Sequence, residues 1–152
     1  MRRLILLSGS LFLAAACGSG EEAVQEDQGP TGADSVAMAM EQYDPAAFDT
    51  ITWETEQAAI DRGGTVYRIS CARCHGNAGR GDAGFVTQGD TLKPPSFVQE
   101  DWRLADDRDA LLRTIYAGRE GGMPHWGLEG LPYRDVDAVA TYILEVIRLG
   151  IE

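Results

Sequence analysis

The most restrictive feature of the sequence is a pentapeptide in the middle of the chain, Cys71-Ala72-Arg73-Cys74-His75. C-x-x-C-H is the motif to which c-type haem is attached. Two thiols at this spacing on a helical turn can reach both vinyl groups at one edge of a porphyrin and form thioethers. The histidine after the second cysteine then points beneath the ring, where its nitrogen can bind iron. We therefore predict one covalent haem c, held by Cys71 and Cys74, with His75 as an axial ligand.

Three other chemistries of a cysteine pair fit the sequence less well. A zinc site needs further ligands, and the only histidines are His75 and His125. Adjacent Cys74 and His75 would also be difficult to place around one tetrahedral ion. A thioredoxin-like redox pair belongs at a strand–helix junction of an α/β sequence, and no such pattern is present. A simple disulfide leaves the adjacent histidine unexplained, so haem attachment is the best-supported hypothesis.

A haem iron bound by His75 needs a sixth ligand or keeps an open position. Met123 is the only methionine after the motif, and it lies in Gly121-Gly122-Met123-Pro124. Thioether sulfur favours Fe(II), and the flanking glycines and proline suit a non-helical loop that approaches the haem closely. We predict Met123 as the second axial ligand. His125 is the rival ligand, and a lone methionine can also simply fill a gap in the core.

The N-terminus has the features of an export signal. Met1-Arg2-Arg3 precedes a short apolar stretch and small residues, and a membrane span would need roughly 20 apolar residues. Leu13-Ala14-Ala15-Ala16-Cys17-Gly18 resembles a bacterial lipoprotein box, in which the cysteine is lipidated. We predict a signal peptide over residues 1–16, lipid on Cys17 and anchoring at the cell membrane, facing the periplasmic or extracytoplasmic side. Ordinary cleavage that leaves a free thiol is the alternative.

Charge is distributed unevenly along the chain. The formal net charge is −11, and Cys17–Asp61 contains eleven acidic residues without any Lys or Arg. By contrast, Arg62–Glu152 contains thirteen acidic and eleven basic residues. Because residues 18–45 also lack a periodic apolar pattern, we expect a flexible acidic tether over residues 17–50 and a folded domain over residues 51–152. The excess of acid argues against nucleic acid as a partner.

Three helical patterns define the expected architecture of this domain. The predicted helices begin near Thr52, behind the capping residues Asp106 and Asp107, and near Pro132. Gly118 should end the second helix and Gly150 the third. Residues 76–95 are dense in Gly and turn-forming residues and are expected to be a loop. Because no strand alternation is visible, the predicted fold class is all-α.

The same residues resemble class I cytochromes c, over roughly Glu54–Glu152. In that family a glycine and an aromatic residue precede the first haem cysteine at successive four-residue steps, and Gly63, Tyr67 and Cys71 match this spacing. The family's C-terminal helix crosses the first helix near the glycine and contributes an aromatic residue, for which Tyr142 is the match. The resemblance implies the class I cytochrome c fold, with helices packed around one covalently attached haem.

Two features depart from the best-known members of this family. In those members a proline carbonyl soon after the motif orients the histidine. Here the first prolines that follow the motif are Pro94 and Pro95. Pro94 is therefore the candidate for that role. The lysines with which mitochondrial-type cytochromes dock are also missing, since Lys93 is the only lysine of the chain. Partner recognition therefore cannot be transferred from them.

The resemblance implies a one-electron carrier that cycles Fe(III)/Fe(II) and is not an enzyme by itself. Its partner would be a quinol-oxidising complex, a terminal oxidase or a dehydrogenase at the membrane. The chain could be a free lipid-anchored cytochrome or a subunit, and the monohaem subunit of bacterial alternative complex III is similar in plan. Two alternatives stay open: a haem protein that binds or reduces a small ligand at an open sixth position, and a structural subunit that retains haem for folding.

Overall fold

The described part of the protein is built mainly from helices, with one short β-hairpin. The computed structural model describes residues 32–87 and 90–150. In chain order its helical elements are α1 (Gly32–Gln42), a 3-10 helix (Pro45–Thr50), α2 (Glu56–Val66), a π-helical turn (Tyr67–Cys71), α3 (Ala72–His75), α4 (Arg108–Ala117), α5 (Tyr133–Tyr142) and a second π-helical turn (Ile143–Ile147). Strands β1 (Phe85–Thr87) and β2 (Asp90–Leu92) form the antiparallel hairpin. The predicted all-α class and class I cytochrome c fold are confirmed.

Local capping explains where the helices of the domain begin and end. The Thr55 hydroxyl accepts a hydrogen bond from the Ala58 amide at 3.1 Å and caps α2. A carboxylate oxygen of Asp107 accepts one from the Ala110 amide at 2.9 Å and caps α4. Gly118, with φ of 72°, ends α4, and α5 begins directly after Pro132. The cap at Asp107, the end at Gly118 and the start after Pro132 agree with the signals in the sequence. The first helix, expected from about Thr52, begins at Glu56.

The domain is organised by the crossing of α2 and α5. A Cβ atom on Gly63 would lie 2.0 Å from the carbonyl oxygen of Ala138, so the two backbones approach too closely for any side chain there. One turn further along, the rings of Tyr67 and Tyr142 lie 5.6 Å apart. The predicted match of Gly63, Tyr67 and Tyr142 to a helix crossing is confirmed.

The N-terminal part of the described chain differs from the sequence expectation. Residues 32–50, expected to belong to a flexible tether, form α1 and the 3-10 helix. α1 lies against α4 with Ala39 fully buried, and the Tyr43 ring meets the Tyr116 ring edge-on at 5.4 Å. The prediction of a tether over residues 17–50 is therefore wrong for residues 32–50, because aromatic side chains distant in sequence provide the packing surface. The rest of that stretch, with Cys17 and the predicted signal peptide, lies outside the described residues.

The β-hairpin falls within residues 76–95, which were expected to be a loop. Its strands have only three residues each, too few to show alternation in the sequence. The hairpin connects two parts of the domain. The Arg73 guanidinium lies 4.6 Å above the Phe85 ring on one side, and the Leu92 side chain lies against Gly122 on the other.

Within residues 32–87 and 90–150, none of the helices combines the length and apolar character needed to cross a membrane.

Candidate haem site

The predicted haem residues surround one cavity between α3, the hairpin and the loop after α4. The cavity measures about 630 Å³, and Cys71, Cys74, His75 and Met123 all line it. Its volume lies within the range of roughly 300–1,000 Å³ that is usual for ligand and cofactor sites. The fold thus places the cysteine motif and the methionine loop, which are far apart in sequence, around the same space.

The cavity wall is largely apolar and includes aromatic residues that the sequence analysis did not single out. Phe97, Trp102 and Trp126 line it together with Leu111, Ile115 and Ile143. Phe97, Trp102 and Trp126 lie in segments rich in turns. Large aromatic side chains in such segments are the sequence signal that could have identified these residues as part of the cavity wall. An apolar wall excludes water and suits a large flat macrocycle such as a porphyrin.

The cysteine motif follows a local change of helix geometry. α2 passes into the π-helical turn that ends at Cys71, and such turns are frequent at functional sites. The buried Tyr67 hydroxyl donates a hydrogen bond to the Gly76 carbonyl at 2.7 Å and holds the end of α3. Burial, and secondarily the Cys74 thiol, raises the pKa of Cys71 to about 12. Neither Cys71 nor Cys74 forms a disulfide among the described residues.

His75 has the properties expected of an axial ligand. Its side chain is buried, and burial lowers its pKa to about 4, so the imidazole is neutral at pH 7 and keeps a nitrogen lone pair for a metal. Its Nδ1 atom has no hydrogen-bond partner among the described residues. A buried polar atom without a partner is costly, so this imidazole fits a site completed by a bound group.

Met123 approaches the cavity on a loop held by backbone hydrogen bonds. The loop follows Gly118 and closes through a hydrogen bond from the Arg119 amide to the Met123 carbonyl, at 3.1 Å. Further along, the Gly127 amide donates to the Tyr116 carbonyl at 2.9 Å and ties the loop back to α4. These bonds fix a non-helical segment whose methionine side chain lines the cavity.

Two secondary candidates from the sequence were His125 and Pro94. His125 is not among the residues that line the cavity; its Nε2 atom lies 3.6 Å from a carboxylate oxygen of Glu129. Pro94 lines the cavity, but Nδ1 of His75 accepts or donates no hydrogen bond among the described residues, so the predicted bond to the Pro94 carbonyl is not formed. Within the described part of the chain, no three His, Cys, Asp or Glu side chains cluster as a metal site.

A cysteine pair, a neutral histidine and a methionine around one apolar cavity in an all-α domain define a c-type cytochrome. The chain belongs to the family described as "Cytochrome C oxidase, cbb3-type, subunit III", which it matches over residues 58–143. Covalently bound haem c follows from membership of this family, and the predicted cofactor is thereby confirmed. Residues 32–50, which form α1 and the 3-10 helix, lie outside the matched range.

Curated relatives agree with this family. The chain is similar to a "Cbb3-type cytochrome c oxidase subunit CcoP" of Azospirillum brasilense, 34% identical over 89 residues, which cover 59% of this chain and 29% of that protein. The CcoP subunit of Rubrivivax gelatinosus is 29% identical over 143 residues, covering 90% of this chain and 44% of that protein. The FixP subunit of Bradyrhizobium diazoefficiens is 31% identical over 83 residues, covering 54% and 26%. The chain thus spans less than half the length of these relatives, and no solved structure matches it significantly.

Proposed function

We propose that this protein carries one electron at a time between membrane-associated respiratory partners. The observation that supports this proposal is that Cys71, Cys74, His75 and Met123 line one apolar cavity. When bound, the haem supplies reversible Fe(III)/Fe(II) chemistry. In this role the domain transfers electrons and neither makes nor breaks bonds of a substrate. It is therefore not an enzyme by itself.

Each of these residues has a separate role in the proposed carrier. Cys71 and Cys74 would hold the cofactor through thioethers, and His75 would provide an uncharged nitrogen to the iron. Met123 would provide a thioether ligand, which would stabilise the reduced state and raise the reduction potential. The apolar wall keeps water away from the site and tunes the same potential.

Covalent attachment and one-electron chemistry can be tested on the purified mature protein. We expect the pyridine haemochrome spectrum to persist in the polypeptide after acid–acetone extraction, and a potentiometric titration to follow a single one-electron transition. Cys71→Ser combined with Cys74→Ser should remove the spectrum. Extraction of all haem from the wild-type protein would contradict the proposal.

We further propose that a lipid on Cys17 anchors the protein on the extracytoplasmic face of the membrane, after removal of residues 1–16. The support is the sequence around Cys17, which resembles a lipoprotein box. Wild-type protein should partition into the detergent phase, whereas Cys17→Ser should stay in the aqueous phase. If both proteins remain with the membrane through the same salt washes, a protein partner and not a lipid holds the chain.

For the redox partner, we propose a membrane oxidoreductase complex. The names of the relatives support a terminal oxidase, and a quinol-oxidising complex such as alternative complex III is the second candidate, on the sequence resemblance alone. Untagged protein should be purified from native membranes in mild detergent and its companions identified. Co-purification with oxygen-reducing activity favours the oxidase, and co-purification with quinol oxidation favours the other complex. Purification without any companion protein would indicate that the protein is a free carrier.

A further inference from the structure

The base of the β-hairpin joins the two sides of the haem cavity. Phe85 and Leu92 are directly opposite each other in the antiparallel register, and both line the cavity. We propose that Leu92 is a positioning residue for Met123, because it braces the methionine loop, residues 119–127, against the helix that carries the cysteine motif. This inference rests on the proposed function, in which Met123 is an axial ligand.

On the side of the cysteine motif, the hairpin is held by Arg73. This residue lies between the two haem cysteines, and its guanidinium carbon is 4.6 Å from the centroid of the Phe85 ring. A cation above an aromatic ring is attracted by the negative face of the π system. No ion pair among the described residues involves Arg73, so the guanidinium is free to stay on the ring. The contact ties the first strand to the motif.

The restraint on Phe85 reaches the second strand through the register of the hairpin. Side chains directly opposite each other in an antiparallel pair lie on the same face, with Cβ atoms about 4.5–5.5 Å apart. Phe85 and Leu92 are such a pair and present this face to the cavity. Val86, the next residue of the strand, is 68% exposed and does not line the cavity. The position of Leu92 therefore follows that of Phe85.

On the opposite side of the cavity, Leu92 lies directly on the methionine loop. A Cβ atom at Gly122 would be 2.0 Å from Cδ1 of Leu92 and 3.3 Å from its Cγ. The bare backbone of Gly122 thus lets the leucine side chain pack against the residue just before Met123. Because packed atoms cannot interpenetrate, the loop cannot move towards the hairpin unless Leu92 moves as well.

The hydrogen bonds around Met123 do not provide this restraint. The Arg119 amide donates to the Met123 carbonyl at 3.1 Å, and the Gly122 amide donates to the Arg119 carbonyl at 3.3 Å. Both bonds lie within the loop, so they fix its shape and not its distance from the hairpin. Leu92 adds a contact with a different element. A ligand side chain is held only as firmly as the residues that support it.

The test uses full-length holoprotein and three variants of the hairpin. Leu92→Ala removes the side chain that lies against Gly122, whereas Leu92→Ile retains its volume. Val86→Ala is the matched control, because that side chain belongs to the same hairpin and does not line the cavity. We expect Leu92→Ala to accelerate hydrogen exchange at the amides of Arg119 and Gly122 about tenfold, since their hydrogen bonds close the loop. Leu92→Ile and Val86→Ala should exchange at close to the wild-type rate.

The bond between iron and Met123 gives a second readout. With equal covalent haem, Leu92→Ala should weaken the near-infrared band of the sulfur–iron bond. It should also accelerate carbon monoxide binding to the reduced protein about fivefold, because a loop that opens more often lets Met123 leave the iron more often. Leu92→Ile and Val86→Ala should resemble the wild type in both measurements.

Wild-type exchange rates and an unchanged sulfur–iron band in Leu92→Ala would overturn the positioning role while leaving the electron carrier intact. Loss of covalent haem from the wild type would instead contradict the proposed function, and the exchange rates would still decide whether Leu92 holds the loop. If Leu92→Ala does not fold, proton NMR of the reduced wild type decides. Nuclear Overhauser contacts between the Leu92 methyl groups and the Gly122 α protons support the inference, and their absence refutes it.

Discussion

Gly63 of α2 contacts the backbone of Ala138 in α5 so closely that a Cβ atom would lie 2.0 Å from the Ala138 carbonyl oxygen. The same virtual atom would lie 2.7 Å from Cβ of Tyr142. Neither neighbour is the flexible end of a side chain. The crossing of α2 and α5 therefore depends on the absence of one methyl group on Gly63.

Gly63→Ala should destabilise the protein by about 3 kcal/mol, since overpacking of a tight contact costs roughly 1–3 kcal/mol and here the backbone itself must move. Denaturant unfolding of the holoprotein, followed by far-UV circular dichroism, measures the change. Gly32→Ala is the control, because a Cβ atom there would have nothing within 4 Å. Equal midpoints of denaturant unfolding for Gly63→Ala and Gly32→Ala would show that α2 and α5 can move apart without loss of stability.

Much of the helix capping and of the cysteine side of the site could be predicted from the sequence because the signals are local. The motif Cys71-Ala72-Arg73-Cys74-His75 fixes two thiols and an imidazole on one turn whatever surrounds it. Asp107 caps α4 with its own side chain, and Gly118 ends the helix through its backbone conformation. The spacing of Gly63 and Tyr67 identified the crossing only through resemblance to a family.

The features that sequence reasoning missed depend on contacts between distant residues. α1 looked like linker because acidic and small residues dominate it, yet the aromatic rings of Tyr116 and Tyr133 form the surface beside it. The stack of Phe97 on His75 joins the end of α3 to a turn that follows β2. No periodic pattern in the sequence encodes either contact, so composition was a poor guide to both.

The N-terminal segment, residues 32–50, is joined to the domain by Tyr133. Its hydroxyl donates to the Gln42 carbonyl at 3.0 Å and accepts from the Asp44 amide at 2.8 Å. Tyr133→Phe removes both bonds and should destabilise the local packing by about 1 kcal/mol. Hydrogen exchange should then accelerate roughly fivefold at amides of residues 32–50. Tyr142→Phe is the control, because its ring packs at the α2–α5 crossing. Equal exchange in both variants would mean that the segment is held without these bonds.

Replacement of the predicted sixth ligand should change the spectrum without releasing the haem. In the oxidised protein Met123→Ala should abolish the weak near-infrared band of a sulfur–iron bond and lower the midpoint potential, because the thioether favours Fe(II). Met40→Ala is the matched control, since that methionine is 41% exposed on α1. A near-infrared band that survives in Met123→Ala would shift the assignment to another ligand.

The turn that begins the methionine loop offers a sharper test, because it acts on the position of Met123 and leaves the side chain in place. Gly118 has φ of 72°, and a Cβ atom there would lie 2.5 Å from the Met123 carbonyl oxygen and 2.7 Å from the carbonyl of Pro124. Gly118→Ala must push the loop away from α4. Gly121 has a similarly positive φ, of 93°, but a Cβ atom there would have nothing within 4 Å.

Gly118→Ala and Gly121→Ala therefore carry comparable backbone strain and differ in the clash with the loop. We expect Gly118→Ala to weaken the near-infrared band and to accelerate carbon monoxide binding to the reduced protein at least tenfold, because a displaced methionine leaves the iron more easily. Gly121→Ala should bind carbon monoxide at close to the wild-type rate. Covalent haem should be equal in both variants, since neither substitution touches Cys71 or Cys74. If both variants bind carbon monoxide equally fast, backbone strain and not the contact with Met123 controls the loop.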